Sequence, residues 1–191
     1  MMSTSGLSSK FLDVEKNCFR FQVPVDMDEQ DGSTLRKSEQ SFNRLIRNND
    51  NKYLLLVDGS KFKVQNLTKQ QQYNPGCKFT FHFYEKSSLE PMEGMPVMLY
   101  TITNSGKIVV CCGDHKKIYP KAMDIPDNIE DGNHEALFYM TQLSGTNKYM
   151  LESSRYPQEC LGLQQLKEDP SHLTLVFKTY AEDEQCVITL L

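Results

Sequence analysis

Strand signals recur along this chain roughly every 8 to 15 residues, and no stretch carries the ~3.6-residue apolar period of a long amphipathic helix. The clearest run is Lys78-Phe79-Thr80-Phe81-His82-Phe83-Tyr84, which puts Phe79, Phe81 and Phe83 on one face. Leu173, Leu175 and Phe177 repeat the pattern. Further strands are expected near 43–47, 53–57, 61–66, 96–103, 107–112, 116–121, 136–141, 148–153, 160–165 and 185–190. Asp58-Gly59-Ser60, Asn74-Pro75-Gly76, Asn104-Ser105-Gly106 and Ser144-Gly145-Thr146 supply turns between them. Short helical turns are expected around 127–131 and 163–169.

These signals make the chain all-β, either a closed barrel or a sandwich. About twelve strands divide into three groups of four, which fits a β-trefoil, but spacing alone leaves the sandwich open. A length of 191 residues suits one domain with a core of its own. No run approaches the ~20 apolar residues that cross a bilayer, and no membrane insertion is expected. A net charge of -4 argues against a general nucleic-acid binder, whose affinity rests on neutralising phosphates. Met1 to Lys10 is Ser-rich and weakly apolar, unlike a signal peptide.

The six cysteines show no CxxC pair and no Cys/His ligand spacing, so no metal or cofactor is expected. They read as reduced thiols, with adjacent Cys111 and Cys112 pointing to opposite faces of one strand. Asn66-Leu67-Thr68 matches the glycosylation sequon and is expected to stay bare in a chain that does not enter the secretory route. The four histidines, His82, His115, His134 and His172, share no ligand spacing. No nucleophile elbow, phosphate loop or paired-carboxylate motif is present. The chain is not expected to be an enzyme, although a Cys/His hydrolase remains the enzyme-class alternative.

Residues 13 to 31 form an acidic head. Within it, Phe19-Arg20-Phe21-Gln22-Val23 alternates as a half-buried strand does and is expected to add to an edge of the folded body, the alternative being a disordered head that shields a surface sterically. Gly32 to Gln40 is polar and expected to be loose. The head ends in Asp28-Glu29-Gln30-Asp31-Gly32, where an Asp-directed protease can act. Cleavage after Asp31, before the small Gly32, is the first choice, with Asp28 and Asp26 as alternatives. The implied division is a propeptide over 1–31 and a folded domain over 32–191. Lys116, Lys117 and Lys121 follow an apolar strand and a turn, so they are expected at the surface, either as a generic solvated face or as a patch that docks an acidic partner. Reversing Lys116 and Lys121 to Glu is expected to slow binding and leave the melting temperature unchanged.

Several segments resemble cytokines of the interleukin-18 branch of the interleukin-1 superfamily. They are Leu45-Ile46-Arg47-Asn48, Tyr53 to Asp58, and Met123-Asp124-Ile125-Pro126-Asp127-Asn128-Ile129-Glu130-Asp131. Leu137-Phe138-Tyr139 and Met150 to Tyr156 with Cys160-Leu161 extend the match to about residues 42–180. The resemblance implies a β-trefoil. It also implies a monomeric pro-inflammatory cytokine, made as an inactive cytosolic precursor, cut by a processing caspase and active outside the cell. Its implied partners are two interleukin-18-type receptor chains with immunoglobulin-like ectodomains and a soluble binding protein, with interferon-γ induction as output. Arg47, Leu67, Lys116 and Lys121 match family contact positions, whereas Lys69 stands where the family has an acidic contact. On the residues alone, a lectin or a protease inhibitor of the same fold is the alternative. The absence of Trp weakens the lectin.

Overall fold

A computed structural model of the chain describes the backbone of residues 10–15, 18–22, 34–86, 94–163, 173–177 and 186–191, and side chains from 34–86, 94–163 and 186–191. β1 (Lys10–Glu15) and β2 (Cys18–Gln22) pair with each other as a separate two-stranded sheet. A 14-stranded sheet holds the rest. Its strands are β3 (Leu35–Arg44), β4 (Ile46–Arg47), β5 (Tyr53–Val57), β6 (Lys61–Gln65), β7 (Phe79–Lys86), β8 (Met95–Thr103) and β9 (Gly106–Cys112). They continue as β10 (Lys117–Ala122), β11 (Asn128–Ile129), β12 (Phe138–Gln142), β13 (Lys148–Ser153), β14 (Glu159–Gly162), β15 (Leu173–Phe177) and β16 (Ile188–Leu190). Among the described residues the helical elements are three short 3-10 turns, Gln71–Tyr73, Pro75–Cys77 and Asp114–Lys116.

Six pairings return to their starting point: β3 with β7, β7 with β8, β8 with β12, β12 with β13, β13 with β16, and β16 with β4. Only Leu45 separates β3 from β4, so the sheet closes into a barrel and the sandwich is excluded. At the seam Leu45 and Leu191 exchange both backbone hydrogen bonds, at 2.9 and 3.1 Å. Ile46 then faces Leu190, and Arg47 faces Thr189. Between the ring strands stand three antiparallel pairs, β5–β6, β9–β10 and β14–β15. β10 also pairs with β15 and touches β6, so the three pairs meet. The result is one four-strand unit used three times.

Phe79, Phe81 and Phe83 are at most 3% exposed and point into the barrel with Ile46, Leu99, Phe138, Leu151 and Leu190, as their alternation predicts. The opposite face of the β7–β8–β9 strands is buried as well. Tyr84, Met98, Tyr100, Val109 and Cys111 form a second cluster with Ile125, Ile129, Ala136 and Leu137 from the segment after β10. A strand covered on both sides reads as an unbroken apolar run, which is why Ile108 to Cys112 does not alternate. Cys112 belongs to the barrel cluster and Cys111 to the outer one, the opposed facing expected of them.

Three expectations are overturned. The segment expected to be loose enters a 10-residue strand at Leu35, held by β7 on one side and β11 on the other. It is polar because Arg36, Lys37, Glu39, Ser41 and Asn43 face solvent, while Leu35 is 2% exposed in the outer cluster and Phe42 stacks on Phe81 at 5.1 Å. Its register slips between Lys37 and Ser41. There the His82 Nε2–H donates to the Ser38 carbonyl at 2.7 Å, satisfying a group the ladder leaves unpaired. The helical turn expected around 127–131 is the bridge β11, tied by Lys37 N–H donating to Asp127 O at 2.8 Å. The strand in the head pairs with β1 rather than with an edge of the barrel. The turn expected at 163–169 lies, apart from Leu163, outside the described residues.

Asn48 joins the first unit to the third. Its Oδ1 accepts from Asp50 N and Lys52 N, both at 2.9 Å, while its Nδ2 donates to Leu163 O at 2.9 Å.

Leu35→Ala empties a closed site in the outer cluster and is expected to cost about 2–5 kcal/mol in urea unfolding. A loss near zero would mean that the start of β3 does not anchor the fold.

Candidate interaction surface

β9 and β10 are joined by a loop whose backbone is unusual. His115 and Lys116 are successive non-glycine residues with φ of 59° and 61°, in the left-handed region that side chains disfavour. Such a conformation persists when its surroundings over-determine it, and here the 154–159 segment does so. Arg155 Nη2 meets Asp114 Oδ1 at 2.7 Å, and Tyr156 Oη–H donates to Gly113 O at 3.3 Å. Lys116 Nζ meets Glu159 Oε1 at 2.5 Å. Gly113 is required for space, since a Cβ there would stand 2.8 Å from the Tyr119 ring.

The two partners of the Lys116 pair differ in their surroundings. The Lys116 side chain is 48% exposed, but that of Glu159 is only 10% exposed, and its Oε2 is buried without a hydrogen-bond partner. One ammonium therefore compensates a carboxylate that is closed to water.

Lys121 is engaged too. Its ammonium pairs with Glu135 Oε1, while Tyr119 Oη–H donates to Glu135 Oε2 at 2.6 Å. The Lys121 and Tyr119 hydrogen bonds hold the Glu135 carboxyl below the ordinary glutamate range. Burial, then Glu135, pushes the Tyr119 hydroxyl up, so it remains a donor. Lys117 is exposed on β10 with its backbone paired to Thr174, and no carboxylate among the described residues is paired with it.

The lysine cluster is thus not one free positive patch. Lys116 and Lys121 are ion-paired within the molecule, and their reversal to Glu would set carboxylate against carboxylate. With these ion pairs in place, the outcome expected of their reversal is a lowered melting temperature.

The remaining sequence-predicted positions lie apart from this loop. Arg47 is half-buried on β4 at the barrel seam, with a buried Nε that has no hydrogen-bond partner. Leu67 is half-buried after β6, just before Thr68 and Gln71, whose backbone N–H groups each donate to the other's side-chain oxygen, at 2.9 and 3.2 Å. Neither is hydrogen-bonded or ion-paired to the lysines. Asp26, Asp28, Asp31 and Gly32 lie outside the described residues. Sequence reasoning missed Glu159, Glu135, Arg155 and Asp114, and no local signal could have found them. Their pairs span 43, 14 and 41 residues.

Cys77, Cys111, Cys112, Cys160 and Cys186 are all buried. Burial pushes the Cys111 thiol up to about 12 and the Cys112 thiol up to about 11, which suppresses the nucleophilic thiolate. His134 accepts from Ala136 N at 3.0 Å on its Nδ1 and His115 is exposed, so neither is set to activate a thiol. Among the described residues there is no group of three metal-ligating side chains. No helix there is long and apolar enough to cross a membrane.

A family model described as Interleukin-1 / 18 matches residues 68–185. The chain belongs to the interleukin-1/18 family of cytokines. Mouse interleukin-18 is 28% identical over 144 residues, 74% of this chain and 72% of that protein. The crystal structure of chicken interleukin-1β superposes with a TM-score of 0.58 at 14% identity, covering 82% of this chain and 98% of that one. A single-site variant of chicken interleukin-1β gives 0.59 at 15% identity, with 82% and 99% covered. The threefold barrel is accordingly the β-trefoil of this family. As an interleukin-18-like member the chain is a signalling protein and not an enzyme.

The Glu135 carboxyl, being lowered, adds stability that is complete above the ordinary glutamate range and is lost as pH falls through its lowered value. Glu135→Gln should therefore cost about 1 kcal/mol at neutral pH and converge with the parent in acid, read from urea midpoints across pH. A constant gap at all pH values would remove Glu135 from the acid dependence.

Proposed function

We propose that this interleukin-1/18 family cytokine is pro-inflammatory. It is made as an inactive cytosolic precursor and freed of residues 1–31 by a caspase. The released form acts outside the cell, where it brings together two interleukin-18-type receptor chains through their immunoglobulin-like ectodomains, with interferon-γ induction as the output. A soluble binding protein would compete for the same cytokine.

The observation that carries this reading is where the folded body begins. Leu35 faces Lys86 on one side and Ile129 on the other, and its side chain is buried in the outer cluster. Asp31, Asp28 and Asp26 all precede it, so cleavage after any of them leaves β3 and the barrel seam intact. Removal of the head then leaves the strand pairing of the body unchanged. Receptor contact is assigned to Arg47, Leu67 and the Lys116–Lys121 segment on the family match.

Incubating the full chain with an inflammatory caspase, sequencing the new N-terminus and assaying receptor activation before and after tests the reading. A new N-terminus at Gly32 with activity that rises on cleavage is expected. A terminus at Glu29 or Met27 would move the cut to Asp28 or Asp26. Full activity of the uncut chain would overturn the precursor assignment.

A further inference from the structure

The three lysines at the start and end of β10 are not equivalent, and their geometry separates their roles. Lys116 has a left-handed backbone, and its ammonium stands 2.5 Å from a carboxylate with a 10% exposed side chain. The other oxygen of that carboxylate has no partner, so withdrawing Lys116 would strand a buried charge. A partner that recruited the Lys116 ammonium to its own carboxylate would have to meet that cost. Lys121 faces the same competition from Glu135, whose side chain is 23% exposed and also accepts from Tyr119.

Among the described residues, Lys117 lies under neither constraint. It is exposed, and its backbone at the start of β10 is paired with Thr174 and accepts from Gly113 N–H at 2.8 Å. No described carboxylate has to be abandoned for it to reach outward. It also follows directly on the segment that Arg155, Tyr156 and Glu159 hold in place, so its position is set in advance of any encounter.

We propose that Lys116 is the internal counter-ion of Glu159, and that Lys117 is the cation of this loop that meets a carboxylate on the receptor. Glu159 and Arg155 are positioning residues, shaping the loop that presents Lys117 without touching the partner. The assignment rests on the receptor-binding reading of this surface. It inverts the weight that the family match gives to Lys116 and Lys121.

The test uses the caspase-processed chain and the ectodomains of its two interleukin-18-type receptors from the same source. Association rates are read at low and high salt, with thermal melting alongside. Lys117→Glu should slow association about tenfold at low salt, less at high salt, and leave Tm unchanged. Lys116→Met should lower Tm. The double variant Lys116→Met with Glu159→Gln should melt above the Lys116→Met single and associate as the parent does. A double variant as slow as Lys117→Glu, or a Lys117→Glu variant as fast as the parent, overturns the proposal. Identical melting of Lys116→Met and the parent overturns its Lys116–Glu159 half. A parent that binds neither ectodomain overturns the receptor reading itself, and the melting comparison still decides the ion pair.

Discussion

A sheet closed on itself has no free edge along its ring, but closure works only if the first and last ring strands meet in register. Here that meeting is a short seam in which Leu45 and Leu191 bond to each other and Ile46 and Leu190 face one another. Both apolar side chains of that second pair lie in the barrel core. Every other part of the body stands in relation to this ring. The three strand pairs rise from it, and the segment after β10 folds back over an apolar part of its outer surface.

That outer layer gives the surface its character. Covering the β7–β8–β9 strands brings Glu135 beside Tyr119 and Lys121, and Asp127 beside Lys37. The neighbouring loop is held by Arg155 and Glu159 from the third unit. Charges that look like a row of lysines in the chain are interleaved with carboxylates once folded. The fold itself does not dictate that use. A GlcNAcα1-4Gal-releasing endo-β-galactosidase from Clostridium perfringens shares it over 32% of its length with a TM-score of 0.54 at 12% identity.

Strands whose two faces differ were legible from the chain, with Phe79-Thr80-Phe81-His82-Phe83 the clearest. The opposed facing of Cys111 and Cys112 was legible for the same reason. β3 was not legible, because a strand with one solvated face and a register slip shows only Leu35 and Phe42 as apolar marks. β11 was not legible either, since two residues cannot display a period. At the candidate surface the lysines could be seen, but their partners could not. Lys116 and Glu159 are 43 residues apart, and nothing in the sequence between them encodes their meeting.

Asn48 carries a consequence for how the molecule assembles. Its carbonyl oxygen can cap the tight bend at Asp50 and Lys52 as soon as that hairpin forms, using neighbours only. Its amide nitrogen must wait for Leu163, 115 positions downstream. Before then the amide is answered by water, and docking the distal third without this bond would bury an unsatisfied donor at a penalty of about 1–3 kcal/mol. One side chain thus acts as a checkpoint, rewarding only those intermediates in which the distal third has already docked.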